Sequence, residues 1–385
     1  MKRNIYIMYA IALLQGMVFY GPIATLYRQA QGVSIFQITL IESISLALCI
    51  ILEVPWGVAA DKIGYKRTMV FCSLLYFVSK LVFWQAESFG AFLTERIMLS
   101  VVIAGLSGVD SSILFLSAKK GESQKVFGIY NALGTVGLLA AAAVFALCVG
   151  DNYKLAGALT VVSYGFAALL SLGLKEVRGK GGQQTEKGQF RQVLLGCLSD
   201  KKLLLFLLAV AFLRESHQTI TVFLNQLQYE KCGLDSSAIG CIFIAVTILG
   251  LFGAFSHGLT GKLKIRASGL MFYLLAAAAC LALALTDLAF VSAASIMLLR
   301  LVHSLFEPMQ LELQNSQIFT AHRATALSIY AMIIDCVAIC TNLSFGALAE
   351  KSLPLAFGFG AVICTAGAVM FLIWYRSYKQ KEASI

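Results

Sequence analysis

Twelve apolar stretches, each long enough to cross a lipid bilayer as a helix, fill almost the whole chain of 385 residues. About 20 consecutive apolar residues span the hydrocarbon core, and a helix satisfies every backbone N–H and C=O within the segment. We place the spans near residues 4–24, 36–60, 68–86, 94–116, 126–149, 154–174, 203–227, 235–256, 268–286, 289–311, 324–347 and 354–375. Only 13% of the residues are charged, about half the share in soluble domains. The sequence therefore predicts an all-α integral membrane protein with twelve transmembrane helices.

The formal net charge of +10 follows the loops between these spans. With the N-terminus placed in the cytoplasm, twenty-two of the thirty lysines and arginines fall in inside segments. The outside loops then hold four, Arg28 among them, and the remaining four lie within spans. This imbalance predicts that both termini face the cytoplasm and that the protein lies in the inner (cytoplasmic) membrane. Because topology accounts for the basic excess, we predict no nucleic-acid partner.

One long polar segment divides the chain into two sets of six spans. We predict an N-terminal six-helix bundle over 1–174, a cytoplasmic linker over 175–202 and a C-terminal six-helix bundle over 203–385. The linker begins with a flexible Gly-rich composition, and its end, Phe190 to Leu198, has the pattern of a short amphipathic helix on the membrane face. At an offset of about 200 residues, polar positions of the first half recur in the second, which predicts a parallel internal repeat.

The loop after the second span has the most specific pattern in the chain. It reads Gly57-Val-Ala-Ala-Asp61-Lys62-Ile-Gly64-Tyr-Lys66-Arg67. Glycines permit a tight turn and close helix approach, and Asp61 can accept hydrogen bonds from the N–H groups at a neighbouring helix N-terminus, where the macrodipole favours an anion. The alternative is a plain cytoplasmic turn, which would explain the basic residues but not Asp61 with two spaced glycines.

This loop resembles the signature loop of the major facilitator superfamily. The twelve spans, the two halves and the mid-chain linker extend the resemblance over essentially the whole chain. The resemblance implies two six-helix bundles and transport of a small molecule by alternating access. It also implies a conformational latch, in which Asp61 meets the start of span eleven near Arg323. The second-half counterpart of the loop is degenerate, with Gly261 at the position of Asp61 and Lys264 at that of Gly64. The residues assigned to the latch are Gly57, Asp61, Lys62, Gly64, Lys66 and Arg67.

Ionisable residues inside spans are costly in hydrocarbon and usually face a partner or a water-filled cavity. Family topology lines the cavity with spans one, four, seven and ten, and Arg300, His303 and Glu307 recur on one face of span ten. The candidate substrate residues in the central cavity are Arg214, Glu215, His217, Arg300, His303 and Glu307. The alternative is a closed structural set of ion pairs, with Glu215 on Arg300 and Asp335 on Arg214.

Carboxylates in the spans are candidates for proton coupling, because a change of solvation can change their protonation. The candidates are Glu53, Asp110, Glu215 and Asp335. Lys80 lies on a span that the family places at the periphery, and we expect its amine to snorkel to the interface.

Several function classes lack their sequence motifs in this chain. It has no Walker A loop, no G-x-S-x-G, no H-E-x-x-H and no CxxC pair among its ten cysteines. We therefore expect no enzyme activity, no cofactor and no metal site, and we set aside a membrane-embedded enzyme or a sensor. The expected function is proton-coupled export of a small amphipathic compound by a monomeric secondary transporter among membrane lipids. The alternative is uptake or facilitated transport of an anionic metabolite, clamped by Arg214 and Arg300.

Overall fold

A computed structural model describes residues 2–119, 122–177, 187–318 and 323–382. Within these ranges all regular secondary structure is helical. Twelve helical segments in the described part are long and apolar enough to cross a membrane, and each overlaps one predicted span. The predicted fold class is confirmed.

The chain divides into two compact units, of which the first comprises residues 1–183 and 235–244. Its helices are α1 (Lys2–Gly16), α2 (Ala24–Ala30), α3 (Ile35–Ile63), α4 (Tyr65–Gln85), α5 (Phe89–Leu106), α6 (Val109–Ser117), α7 (Ser123–Val144) and α8 (Tyr153–Leu172). A π-helical turn, Phe145–Val149, extends α7.

Two spans of the first unit are broken, and the local sequence explains both breaks. After α1 the chain makes a short 3-10 turn, Gly21–Ile23, before α2, and Pro22 at this turn has no N–H to continue the helical ladder. Span four breaks between α5 and α6 at Gly108, whose φ of 80° suits glycine. The second break places Asp110 in the first turn of α6.

Helices α1 and α7 touch at glycine. A Cβ added at Gly16 would overlap the backbone of Gly134, and one at Gly137 would overlap the backbone carbonyl of Leu13. The absent side chains thus permit direct backbone contact between the two helices, which increases dispersion attraction in a lipid environment.

The second unit comprises residues 184–234 and 245–385. Its helices are α9 (Lys187–Ser199), α10 (Lys201–Thr219), α11 (Asn225–Lys231), α12 (Ser236–Leu249), α13 (Ser256–Leu285), α14 (Ala289–Ser316), α15 (Arg323–Lys351) and α16 (Leu353–Glu382). Residues 236–244 of α12 belong to the first unit. The π-helical turn Ile220–Leu224 joins α10 to α11, and the 3-10 turn Gly250–Phe255 joins α12 to α13.

Helix α13 begins twelve residues before the predicted span because the chain stays helical on both sides of a kink at Lys264. Lys264 has φ 63° and ψ 152°, close to the φ 99° and ψ 145° of Gly64. The two residues are 200 positions apart, so the structure repeats the turn of the signature loop where the sequence does not repeat the glycine. This conformation supports the internal repeat.

The linker contains the predicted helix, α9, which is longer than the predicted segment. Val193 and Cys197 are buried and Leu195 and Leu198 are exposed, so one side of the helix packs against protein. Its neighbours in the second unit are α10 and α15. The division of the chain at residues 174 and 203 stays a prediction.

Candidate functional site

The signature loop is a one-residue connection, because α3 ends at Ile63 and α4 begins at Tyr65. Gly64 makes the turn with a positive φ of 99°. Lys62 and Arg67 are exposed and Lys66 is half-buried. The surroundings of Gly57 and the side chains of Asp61 and of residues 323–325 lie outside the part of the chain that the structure describes. The contact that we predict between Asp61 and the start of span eleven therefore stays a prediction.

A residue outside the motif completes this turn. The Lys66 N–H donates to Oε1 of Glu176 at 3.2 Å, and Oε2 of Glu176 lies 2.8 Å from the position that a Cβ on Gly64 would occupy. Gly64, at the N-cap position of α4, has no side chain that could cap the helix. The carboxylate of Glu176 supplies an acceptor at this helix N-terminus, where the macrodipole favours negative charge. Glycine is thus needed here for the backbone conformation and for the approach of Glu176.

The start of the linker is fixed to the first unit by Asn4. Its side-chain amide donates to the Lys175 carbonyl at 2.9 Å and accepts from the Lys175 N–H at 2.9 Å. Asn4 is buried, and its amide also reaches the Ser117 hydroxyl at 3.4 Å. This double hydrogen bond fixes the backbone of Lys175. The adjacent Glu176, which caps α4, is therefore held in place even if the rest of the linker moves.

In the second unit, Arg214 lies between two carboxylates. Its Nε is 3.6 Å from Glu215 Oε1, and its Nη2 is 3.5 Å from Asp335 Oδ1. The Glu215 side chain is 3% exposed, whereas the side chains of Arg214 and Asp335 are 40% and 24% exposed. The pairing of Asp335 with Arg214 agrees with the ion-pair alternative, but Glu215 pairs with its neighbour Arg214 and not with Arg300. The three formal charges sum to −1, with the arginine at the exposed side.

Two histidines from the same site stack on each other. The rings of His217 on α10 and His303 on α14 are 4.0 Å apart between centroids and 12° from parallel. The Thr221 hydroxyl lies 3.2 Å from His217 Nε2, and neither Nδ1 has a hydrogen-bond partner among the described residues. The structure thereby joins span seven to span ten through the buried His217 and the half-buried His303.

The remaining residues of span ten lie at the edge of this group. Arg300 and Arg214 are both within electrostatic range of His303. The Arg300 guanidinium fits against Gly250, where an added Cβ would lie 2.9 Å from its Cζ. Glu307 is exposed and within electrostatic range of Arg300.

The first unit has a buried charge cluster that sequence reasoning missed. Lys80 is 5% exposed and does not snorkel, because its Nζ donates to the Tyr20 hydroxyl at 3.0 Å and lies 3.3 Å from Glu95 Oε1. The amine also lies 5.1–5.7 Å from the ring centroids of Tyr20, Tyr76 and Tyr164. A buried carboxylate and aromatic rings stabilise the ammonium where it is, so it has no reason to reach the interface.

Two arginines extend this cluster. Arg96 pairs with Glu42 across α5 and α3. Arg28, assigned above to an outside loop, is 9% exposed in α2, with its guanidinium carbon 5.3 Å from the Phe83 ring centroid. Adjacent acidic and basic residues at 95 and 96 on a span were a usable signal for such a cluster.

Comparison with known proteins identifies the family. Residues 5–316 match the sequence profile of the Major Facilitator Superfamily. The chain belongs to the major facilitator superfamily. An uncharacterized MFS-type transporter of Methanocaldococcus jannaschii is 26% identical to it over 139 residues, which is 36% of each of the two chains. The matched region therefore spans only about a third of the length of this relative.

Solved structures share the superfamily fold. The nucleoside transporter NupG superposes with a TM-score of 0.82 at 14% identity, covering 97% of this chain and 99% of that one. A D-xylose–proton symporter superposes with a TM-score of 0.74 at 13% identity, covering 97% and 96%. A bacterial homologue of the lysosomal transporter Spinster gives a TM-score of 0.70 at 17% identity, covering 97% and 95%. The family match and the twelve apolar helices of the described residues make the chain a multi-pass membrane protein of a transporter superfamily, which is not a family of enzymes.

Two of the four proton-coupling candidates of this superfamily member lie in its first unit. Glu53 is exposed on α3. Asp110 accepts from the Ser111 N–H at 2.6 Å and lies beside Tyr130. The other two, Glu215 and Asp335, converge on Arg214 in the second unit. The structure therefore brings together one pair of the four candidates.

Proposed function

We propose that the protein is a proton-coupled secondary transporter that exports a small amphipathic compound by alternating access. The observation that carries this proposal is the group formed by Arg214, Glu215 and Asp335 beside the stacked His217 and His303. Such a group of ionisable side chains inside membrane helices is expensive unless it serves transport or pairs fully. Arg214 and Asp335 remain partly exposed, which leaves this pair accessible.

The charge balance of the group favours the binding of a proton or a cation. One arginine faces two carboxylates, so these three side chains have one negative charge in excess, and Arg300 and Glu307 at the edge of the group add no net charge. Protonation of Asp335 would neutralise this excess and release Arg214 from one of its partners. A substrate and a proton that compete for the same carboxylate are coupled, because each lowers the occupancy of the other.

Membrane placement and assembly belong to the same proposal. The distribution of lysine and arginine supports an inner-membrane protein with both termini in the cytoplasm. The predicted latch residues then lie on the cytoplasmic side of a monomer that has two predicted membrane-spanning six-helix bundles.

Reconstituted protein tests the coupling. In proteoliposomes we expect an imposed pH gradient to drive accumulation of a fluorescent amphipathic amine by the wild type. Asp335→Asn and Glu215→Gln are then measured for gradient-driven accumulation and for exchange at equal pH. We expect at least one variant to retain exchange and to lose accumulation. Asp287→Asn is the matched control, because its carboxylate is 70% exposed in the same unit.

The proposal is wrong if no variant separates exchange from accumulation, since the protein would then act as a facilitator. Loss of both activities in a well-folded variant would place the residue in substrate binding instead. A variant that matches the wild type in both measurements is removed from the coupling group.

Arg300 favours a second candidate function, the uptake or facilitated transport of an anionic metabolite. None of the ion pairs among the described residues includes Arg300, whereas Arg214 already faces two carboxylates. An arginine whose acidic neighbour, Glu307, is exposed and forms no ion pair with it can bind a carboxylate or phosphate of a substrate. Arg300→Gln should abolish uptake of an anion and leave export of an amphipathic amine nearly unchanged.

A further inference from the structure

An apolar groove in the second unit is not used by the proposed function. It encloses about 640 Å³ between the linker helix α9 and the membrane-spanning helices α10 and α15. Its walls include Leu194 and Leu198 of α9, Leu208 and Phe212 of α10, and Cys336 and Cys340 of α15. This volume is within the range of binding sites for small molecules, which are commonly about 300–1,000 Å³.

The shape of the groove fits a chain better than a compact ligand. Its lining on α15 runs from Ile329 to Ser344, which is about 22 Å along a helix that rises 1.5 Å per residue. That length exceeds half of the hydrocarbon core, which is about 30 Å thick. A slot of this length and volume is narrow, and almost all of its lining side chains are apolar.

Positive charge lies where the linker helix joins the groove. Lys201 shares one face of α10 with Leu208 and Phe212, at spacings of seven and eleven residues. Lys201 and the adjacent Lys202 are both exposed. The carboxylate of Asp200 accepts from the N–H groups of Lys202 and Leu203, at 3.0 and 3.1 Å, as the helix cap. Lys201 and Lys202 follow the lining residue Leu198 by three and four residues, with the capping Asp200 between. Two exposed ammonium groups this close in sequence to an apolar slot complement an anionic headgroup with a hydrocarbon tail.

We infer that this groove binds an anionic phospholipid of the surrounding bilayer, with one acyl chain between α9, α10 and α15 and the phosphate at Lys201 and Lys202. The acyl chain gains dispersion contacts with the apolar lining, and the lysines supply the preference for an anionic headgroup, since apolar surface in a bilayer is not exposed to water. Each lysine near an anionic headgroup favours binding by about fivefold. The lipid thereby holds the linker helix against the two spanning helices that also bear Arg214 and Asp335.

Native mass spectrometry of the full-length protein, purified from nanodiscs of equal phosphatidylglycerol and phosphatidylethanolamine, tests the site. We expect the wild type to retain phosphatidylglycerol with about tenfold enrichment or more. In the double variant Lys201→Gln, Lys202→Gln the enrichment should fall to within about twofold. The matched control is Lys262→Gln with Arg266→Gln, two exposed cations of the same unit on α13, a helix that contributes no residue to the groove lining. This control should retain the enrichment of the wild type.

Filling the groove gives a second, independent measurement. Leu198→Trp and Cys340→Trp each place an indole in the groove. Both positions are exposed, so we expect both variants to fold. Each should retain at least one phospholipid fewer than the wild type. Unchanged retention in the tryptophan variants, or unchanged enrichment in the lysine variant, overturns the inference. Displacement of the retained lipid by a transported amphipathic amine also overturns it, because the groove would then be a substrate pathway.

Discussion

At the scale of single residues, Gly64 and Lys264 show that two different residue types make the same backbone turn. Both have positive φ with ψ near 150°, but only Gly64 adopts this conformation without strain. Lys264 is the one non-glycine residue with positive φ among those described. A glycine in a motif predicts such a turn from the sequence, whereas a lysine does not. The Gly64 turn could therefore be predicted and the Lys264 turn could not.

Replacing Lys264 with glycine should stabilise the protein. Backbone strain of this kind costs about 1–3 kcal/mol, and the added freedom of glycine in the unfolded chain offsets part of the gain. We expect Lys264→Gly to raise the free energy of unfolding by about 1 kcal/mol, seen as a higher apparent melting temperature in detergent. Lys262→Gly is the control, because residue 262 is helical and glycine there should lower stability by up to about 1 kcal/mol. Equal shifts in the two variants would show that Lys264 is not strained.

Glu176 should stabilise the signature loop through its carboxylate. Glu176→Ala removes the acceptor of the Lys66 N–H, and loss of a helix cap costs about 0.5–2 kcal/mol. Glu176→Gln should cost less, since an amide oxygen still accepts. The measurement is the apparent melting temperature, with Glu122→Ala as the control, because Glu122 precedes α7 and its side chain makes no capping bond. A Glu176→Ala protein as stable as the control would show that the cap contributes nothing.

At the scale of elements, the sequence predicts where helices lie better than which way their faces point. Hydropathy is a sum over a segment, so all twelve spans are found from it. Hydropathy does not register the breaks before α2 and at Gly108 or the early start of α13, which have local causes. It also misses the burial of Lys80, which depends on neighbouring helices. Arg214, Glu215 and Asp335, which lie together in the structure, could be singled out from the sequence because a charge in an apolar span is a strong signal by itself. The Glu95 partner of Lys80 and the Glu176 cap were missed because each is defined by a contact distant in sequence.

The pair of Lys80 and Glu95 should be strongly coupled in stability. Lys80→Met leaves the buried Glu95 carboxylate without its cation, which costs about 3–5 kcal/mol. A double variant, Lys80→Met with Glu95→Leu, should recover most of this loss, because apolar groups replace both charges. The check is a double-mutant cycle on unfolding in detergent. Lys154 and Glu87 form the control pair, with side chains 64% and 71% exposed, and should couple by at most about 1 kcal/mol. Equally weak coupling in both pairs would contradict a buried pair at Lys80.

At the scale of the whole molecule, family and selectivity rest on different parts of the chain. The fold is shared with NupG and the xylose symporter at 13–14% identity, so the arrangement of helices tolerates replacement of most side chains. The twelve spans and the signature loop are therefore enough to predict the superfamily. In our proposal selectivity rests on a few side chains in the spans, such as Arg214 and Arg300. Each of these arginines can either form a structural ion pair or bind a ligand. Pattern alone leaves both readings open, and the contact geometry around Arg214 favours the coupling site.

The latch is a property of the whole transport cycle, and Asp61→Asn tests it. In alternating access two conformations of similar free energy exchange, and a carboxylate at a helix N-terminus stabilises one of them by about 0.3–2 kcal/mol. Removing the charge should change the ratio of the two conformations several-fold and slow turnover, while expression and the apparent melting temperature stay near those of the wild type. Initial transport rates per mole of reconstituted protein measure this effect. Lys125→Gln is the control, since Lys125 is an exposed cation on α7 of the same unit and lies outside the signature loop. Wild-type turnover of a well-folded Asp61→Asn protein would show that the loop is only a cytoplasmic turn.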